Sequence, residues 1–178
     1  MIFMSQSGIT DRTRDADWGL WYFEHLRIMA SVPGVFSAQR FITVTPGYPP
    51  SLAMYGVASA EVFKGEYYLS VRGMGEWLPL IDKHWYRRNL FDGLDVAPAV
   101  SEDQVLLVSD RDTPDATPAG LSFTWLKVAG IDRSTPYRGI AVVDKNAVPA
   151  LPQNVNISVA PYAPASQRYV NMKEAIQK

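Results

Sequence analysis

Hydrophobic and polar positions alternate in short stretches along the first third of the chain and then give way to longer patterned runs. Ile2 to Ile9 reads as a first strand, its polar positions interleaved with Phe3 and Met4. A polar turn, Thr10 to Asp15, precedes a helix expected over Trp18 to Ser31, with Asp17 placed to cap it through its carboxylate. Pro33-Gly34 stops that helix. Its apolar positions cover most of the circumference, which predicts contact with its own sheet and with a partner subunit. Val35 to Val44 reads as a second strand, with Ala38, Arg40, Ile42 and Val44 on one face and Ser37, Gln39, Phe41 and Thr43 on the other. After the turn Gly47 to Pro50, Ser51 to Ala58 is a third strand, with Leu52, Met54 and Gly56 opposed to Ala53, Tyr55 and Val57. The two strands predict an antiparallel hairpin.

Ala60 to Val71 is helical in pattern and ends at Gly73 and Gly75. Glu76 to Phe91 predicts a further helix with Pro79 in its first turn, and Val105 to Ser109 a fourth strand. The resulting order β-α-β-β-α-β is that of a ferredoxin-like unit. Two units follow: residues 1–110 as the α+β part and residues 111–178 as a β-rich C-terminal extension packed on the same domain. In the extension Asp112 to Gly120 is a Pro-rich loop, and Ser122 to Val128, Gly139 to Val143 and Val155 to Val159 read as strands. Prolines within Ala147 to Gln153 and Pro161 to Pro164 suit edges and linkers rather than central strands.

Composition narrows the classes of function. With 178 residues, 47% hydrophobic and 20% charged, the chain can bury one sizeable core. A net charge of −1, with Lys and Arg dispersed, gives no field for nucleic acid or an anionic membrane. There is no cysteine, hence no disulfide frame, thiolate metal site or cysteine nucleophile. No apolar run approaches the ~20 residues of a membrane span, and Met1 to Thr10 lacks the flank and cleavage site of a signal peptide. A cytoplasmic protein is expected. GxGxxG, P-loop, GxSxG and HExxH patterns do not occur, which disfavours nicotinamide-dependent, nucleotide-dependent, serine-hydrolase and zinc-protease chemistry.

Candidate chemistry rests on few residues. His25 shares a helix face with Trp21 and Met29, four residues to either side. An imidazole against tryptophan favours its neutral form and can act as a base. A helical histidine bonded to backbone or water is the competing reading. Glu24 points about 100° away from His25 and is a poor orienting partner. Arg40 lies on an otherwise apolar strand face. A buried guanidinium needs a partner: an internal carboxylate, or a ligand carboxylate or enolate. Tyr55 and Gln6 on neighbouring strands offer polar tips to the same cavity. His84, Trp85 and Tyr86 form the most aromatic-plus-polar stretch, suited to a pocket rim or a dimer contact. The two histidines have no carboxylate at matching spacing, so no metal site is predicted.

The aromatic helix Trp18 to His25, the Val32-Pro33-Gly34 stop and the strand Ala38-Gln39-Arg40-Phe41 together resemble the dimeric α+β barrel superfamily. The EthD-like, polyketide-cyclase-like and antibiotic-monooxygenase-like branches are the nearest. That resemblance covers about the first 110 residues. It implies two ferredoxin-like units pairing their sheets into a barrel as a homodimer, with an apolar pocket between sheet and helices. It further implies a helix histidine at the site, which His25 matches by position. Members include cofactor-free monooxygenases, cyclases, lactone isomerases and some haem-binding proteins. The sequence therefore predicts an enzyme without metal or organic cofactor. It would abstract a proton next to a carbonyl in a small aromatic or carbonyl-bearing compound, using His25 with Arg40 and Tyr55. Trp21, Gln6, His84, Trp85 and Tyr86 would line the ligand. The alternative is a non-catalytic dimer that binds a small hydrophobic ligand or haem.

Overall fold

A computed structural model describes residues 1–114, 121–150 and 159–171. Strand β1, Ile2–Ser7, leads into helix α1, Asp15–Ala30, and then the hairpin of β2, Val35–Ile42, and β3, Ser51–Val57. Helix α2, Glu66–Val71, sits between the 3-10 turns Ala60–Lys64 and Gly75–Leu80. Strand β4, Arg87–Asp92, follows. Strands β5, Gln104–Arg111, β6, Thr124–Ile131, β7, Tyr137–Asp144, and β8, Val159–Pro164, complete a cylinder, and β9, Tyr169–Val170, adds a short strand beside β2.

The strands run in the order β3-β1-β4-β6-β7-β5-β8-β2, and β2 pairs again with β3. Every named pairing is antiparallel, so eight strands form a closed barrel and no edge is left to pair elsewhere. Within it β2-β3-β1-β4 form one half and β6-β7-β5-β8 the other. Adding four to each number of the first half gives the second. The seams have the same form: β4 pairs with β6, and β8 pairs with β2. The fourth strand of each half thus meets the second strand of the other. One chain closes the barrel by itself, with strands β5–β8 in the place a second sheet would take.

Alternation divides the core in two. Ile2, Met4, Leu52, Met54 and Phe91 meet Leu106, Val108, Leu126, Ile140 and Tyr162 inside the barrel. Phe3, Ala38, Ala53, Tyr55 and Leu90 face outward against Trp18, Tyr22, Leu26 and Met29 of α1. Each of these large side chains contributes ~1.5–3 kcal/mol of burial. Helix α1 lacks a side-chain N-cap. Asp11 instead caps the preceding turn by accepting from the Thr13 backbone N–H at 3.1 Å, and Asp15 and Asp17 add charge to the first helical turn. At the other end Gly34 takes φ +81°, where a Cβ would fall 2.7 Å from Val62 Cγ2.

Several expectations need correction. Residues 76–91 do not form one helix. A 3-10 turn with Pro79 inside it ends at Leu80, and the chain re-extends into β4, where Asn89 and Phe91 face the barrel and Leu90 faces α1. The fourth strand is therefore Arg87–Asp92. Val105 to Ser109 lies within β5, which pairs with β7 and β8 in the second half. Asp17 does not cap α1 but lies within its first turn; the helix has no side-chain cap, and Asp11 caps the 3-10 turn that precedes it. The proline-bearing 161–164 stretch is a barrel strand: Pro161 faces Leu107 and Pro164 faces Phe41. Residues 155–158 of the last expected strand, and much of the 112–120 loop, lie outside the described residues. The outer face of α1 is bare in the single chain, with Leu20 68% exposed and Phe23 and Ile28 partly so.

Candidate functional site

The outward face of the first half and the elements covering it enclose a cavity of about 390 Å³. Successive turns of α1 bring Tyr22, His25 and Met29 to one wall. Phe3 and Ser5 of β1 and Tyr55 of β3 form the floor. Tyr68, Arg72, Gly73, Met74 and Leu78 close it from α2 and the following turn, and Tyr86 and Arg88 complete the rim at β4. Four tyrosines, one histidine and two arginines thus surround a largely apolar space that contains no carboxylate among its lining residues.

His25 stacks on Trp21 at 4.7 Å and 13° and meets Tyr22 edge-on at 5.9 Å. Trp21 in turn stacks on Trp18 at 5.0 Å. Among the described residues no hydrogen bond holds the imidazole, and Glu24 is engaged with Arg27 at 2.8 Å. Burial pushes the pKa of His25 down from 6.5 to about 4, so the ring is neutral at neutral pH. Burial also raises the tyrosines: Tyr55 well above the ordinary phenol, and Tyr22, Tyr68 and Tyr86 in the same direction. These phenols keep their protons and stand as donors. Arg88 is tied to Asp132, at 3.2 Å through its side chain and 2.8 Å through its backbone N–H.

The structure sorts the expected residues into four groups. His25, Tyr55 and Tyr86 meet in the cavity. Trp21 lies behind His25 as a stacking plate and is not part of the lining. Arg40 shares the helix-facing side of the sheet, as alternation predicts, but lies beyond Tyr22. Its guanidinium stacks over that ring at 4.4 Å and lines a second cavity. Gln6, His84 and Trp85 are elsewhere. Gln6 points into the barrel, on the opposite face of β1 from Phe3 and Ser5, where its Oε1 accepts from Arg138 Nη2 at 2.7 Å. His84 is exposed, and its ring meets Trp85 at 4.3 Å. Both sit in the turn before β4, outside the cavity lining. No group of three His, Cys, Asp or Glu among the described residues could hold a metal ion.

Tyr22, Tyr68, Arg72 and Arg88 were not anticipated as site residues. Tyr22 had a signal, since it stands three residues before His25 on the same helix face. Tyr68 and Arg72 are placed by the return of α2 across the sheet, which local pattern does not encode. The barrel interior also holds an unanticipated ion pair. Arg138, 0% exposed, donates from Nε and Nη2 to the Asp110 carboxylate at 2.7 Å each.

No protein-family model matches the chain, and no curated protein matches it in sequence. Its fold is shared. A solved structure from Fusobacterium nucleatum subsp. nucleatum, assigned a monooxygenase activity in name only, superposes with a TM-score of 0.53 over 93% of this chain and 92% of that one, at 10% identity. The correspondence extends through the second half of the barrel as well as the first. At that identity it establishes the architecture, an α+β protein built on a closed antiparallel barrel. No helix is long and apolar enough to cross a membrane among the described residues.

Proposed function

We propose that this chain is a small-molecule enzyme that works without metal or organic cofactor, with the His25 cavity as its active site. The observation that carries the reading is a neutral imidazole facing an aromatic cleft lined by neutral phenols and by no carboxylate among the described residues. His25 is then the base among the described lining residues that faces a bound compound. It takes a proton from the carbon next to a carbonyl, and the electron pair moves onto the carbonyl oxygen. Tyr55, buried and protonated, donates a hydrogen bond to that oxygen as charge develops. The imidazolium formed beside the enolate is stabilised by it, an interaction present only after proton transfer. A low pKa in the empty cavity therefore does not oppose the reaction, since the partner charge appears in the same step. Return of the proton at another carbon is isomerisation, loss of a neighbouring group is elimination, and attack on a second carbonyl is cyclisation. The substrate class is a small aromatic or carbonyl-bearing compound, matched to the four tyrosine rings.

The same reading extends to architecture. The N-terminal half is a ferredoxin-like β-α-β-β-α-β unit, and strands β5–β8 repeat its strand order, with no α-helix among the described residues between them. The chain is a fused form of the two-sheet barrel that dimeric members of the superfamily build from two subunits. A homodimer would then join outer faces such as that of α1 rather than barrel seams.

Deuterium wash-in at the methyl group of aryl methyl ketones in D2O tests the chemistry. Wild type should accelerate exchange, and His25→Gln should slow it about 100-fold or more. Tyr55→Phe should lower kcat more than it raises KM. Ketone binding without exchange, unaltered by His25→Gln, would instead identify a non-catalytic binding protein. A Soret band on addition of haem, lost in His25→Gln, would identify a haem protein.

A further inference from the structure

The second cavity, about 300 Å³, lies at the other end of α1 from the His25 site, with Tyr22 in the first cavity's wall and Arg40 in the second's. Arg40 is only 7% exposed. Its Nε donates to Ser51 Oγ at 3.0 Å, and the guanidinium lies over Tyr22 at 4.4 Å and Trp18 at 6.0 Å. Neither Nη atom has a hydrogen-bond partner among the described residues, and no carboxylate lies within ion-pair distance. Asp15, the acid in this cavity, is engaged with Arg12 at 2.9 Å. A buried guanidinium is expected to be paired, and this one turns an unoccupied edge toward open space.

The walls fit that reading. Ile9, Trp18, Phe23, Ile42, Val44 and Pro50 supply apolar surface. Val44 is 98% exposed, so greasy surface continues to the mouth. Gly19 lines the cavity from inside α1, where glycine costs ~1 kcal/mol relative to alanine. A Cβ at that position would lie 3.6 Å from Arg40 Nη1. The helix gives up stability there, and what it leaves open is the approach to the guanidinium. Arg12 and Asp15 neutralise each other at the rim, which leaves Arg40 as the net positive charge of the described lining.

We propose that this cavity is a carboxylate-binding site, separate from the His25 site, that takes a small monocarboxylate with an apolar or aromatic body. The carboxylate sits on the Nη edge of Arg40 as a charge-assisted, forked hydrogen bond, and the body lies between Phe23, Ile42 and Pro50. Because Arg40 also packs on Tyr22, occupancy here bears on the wall of the His25 cavity through one shared ring.

Benzoate and benzamide, equal in shape and different in charge, are the probes. Two-dimensional NMR titration of the intact protein with benzoate should shift the amides of Gly19, Ile42, Thr43 and Ser51, with a dissociation constant at least tenfold below that of benzamide. Arg40→Met, which removes a buried charge without opening a void, should weaken benzoate by tenfold or more and leave benzamide unchanged. Gly19→Val, which fills the approach, should weaken both. His25→Gln should leave benzoate binding intact, so failure of the proposed catalytic site and failure of this one are distinguishable. Equal affinity for the two probes, or benzoate binding unaltered in Arg40→Met, would overturn the proposal. So would shifts confined to residues around His25.

Discussion

The burial of His25 makes the stability of this protein depend on pH in a way that one substitution should erase. In the folded chain the imidazole pKa falls to about 4 from 6.5, with desolvation as the cause. Between those two values the unfolded chain binds a proton that the folded chain does not. The contribution of His25 is therefore fully present above pH 6.5, declines as pH falls, and is gone below about 4. The gap, at ~1.4 kcal/mol per pH unit, sets a ceiling of ~3 kcal/mol, of which ~2 kcal/mol is lost between pH 7 and pH 4.5. Carboxylates elsewhere titrate in the same range, so the quantity to measure is a difference between proteins. Urea unfolding of wild type and His25→Gln at pH 7 and pH 4.5 supplies it. Wild type should lose ~2 kcal/mol more than the variant, because glutamine stays neutral throughout. Histidine ring NMR on the same samples, assigned with His84→Gln, should show the His25 imidazole still neutral at pH 5. A midpoint above pH 6, or equal losses in the two proteins, would show that the ring is not desolvated. The argument for a neutral base in the cavity would then fall with it.

The other expected outcomes concern the barrel and the site. Asp110→Ala leaves the fully buried Arg138 with Gln6 as its one side-chain oxygen partner among the described residues, whereas Arg138→Met leaves an Asp110 side chain that is 42% exposed and can hydrate. The first should cost ~3 kcal/mol and lower Tm by several degrees, the second ~1 kcal/mol or less; calorimetry giving the reverse order would refute the asymmetry. A chain ending at residue 99 keeps β1–β4 and exposes both seam strands, β2 and β4. Native mass spectrometry should find it associated as two chains, and a folded monomer would count against the fused-barrel reading. Tyr55→Phe leaves a ring in place and removes a donor. It should bind aryl ketones within about threefold of wild type while exchanging their protons at least tenfold more slowly.

What the chain discloses locally and what it withholds follow a physical division. Strands β1 to β3 and helix α1 were legible because each is patterned against a face it buries: period two in 35–44 and 51–58, and Trp21, His25 and Met29 at helical spacing. The same alternation correctly put Arg40 and Tyr55 on one side of the sheet. It could not tell that Tyr22 would stand between them and divide that side into two cavities. Gln6 was misplaced for a related reason. In a barrel both faces of a strand are buried, so β1 is buried at every position and alternation no longer marks which side a polar tip faces. Strand β4 was lost because its flanks, with Pro79 before and aromatics throughout, read equally as a helix start, and its partners lie 81 to 89 residues before and 35 to 42 after in sequence. The strand-order repeat between the halves is carried by hydrogen bonding and not by residue identity.

That repeat bears on why the two cavities along α1 lie on the first half. The two halves share strand order, yet among the described residues the second has no α-helix over its outer face, and β7 leads into a 3-10 turn at Lys145–Ala150 instead. A pocket between sheet and helix needs both. The first half has both, and it holds two cavities along α1, one centred on His25 and one on Arg40. The second half contributes from below: Arg138 fixes Gln6 and Asp110, and Tyr162 donates to the Pro49 carbonyl at 2.8 Å, at the turn between β2 and β3. Those contacts brace the strands whose other faces carry Ser5, Arg40 and Tyr55. On the proposed reading the helical half supplies the chemistry, and strands β5–β8 supply the rigid back of the wall on which that chemistry is mounted.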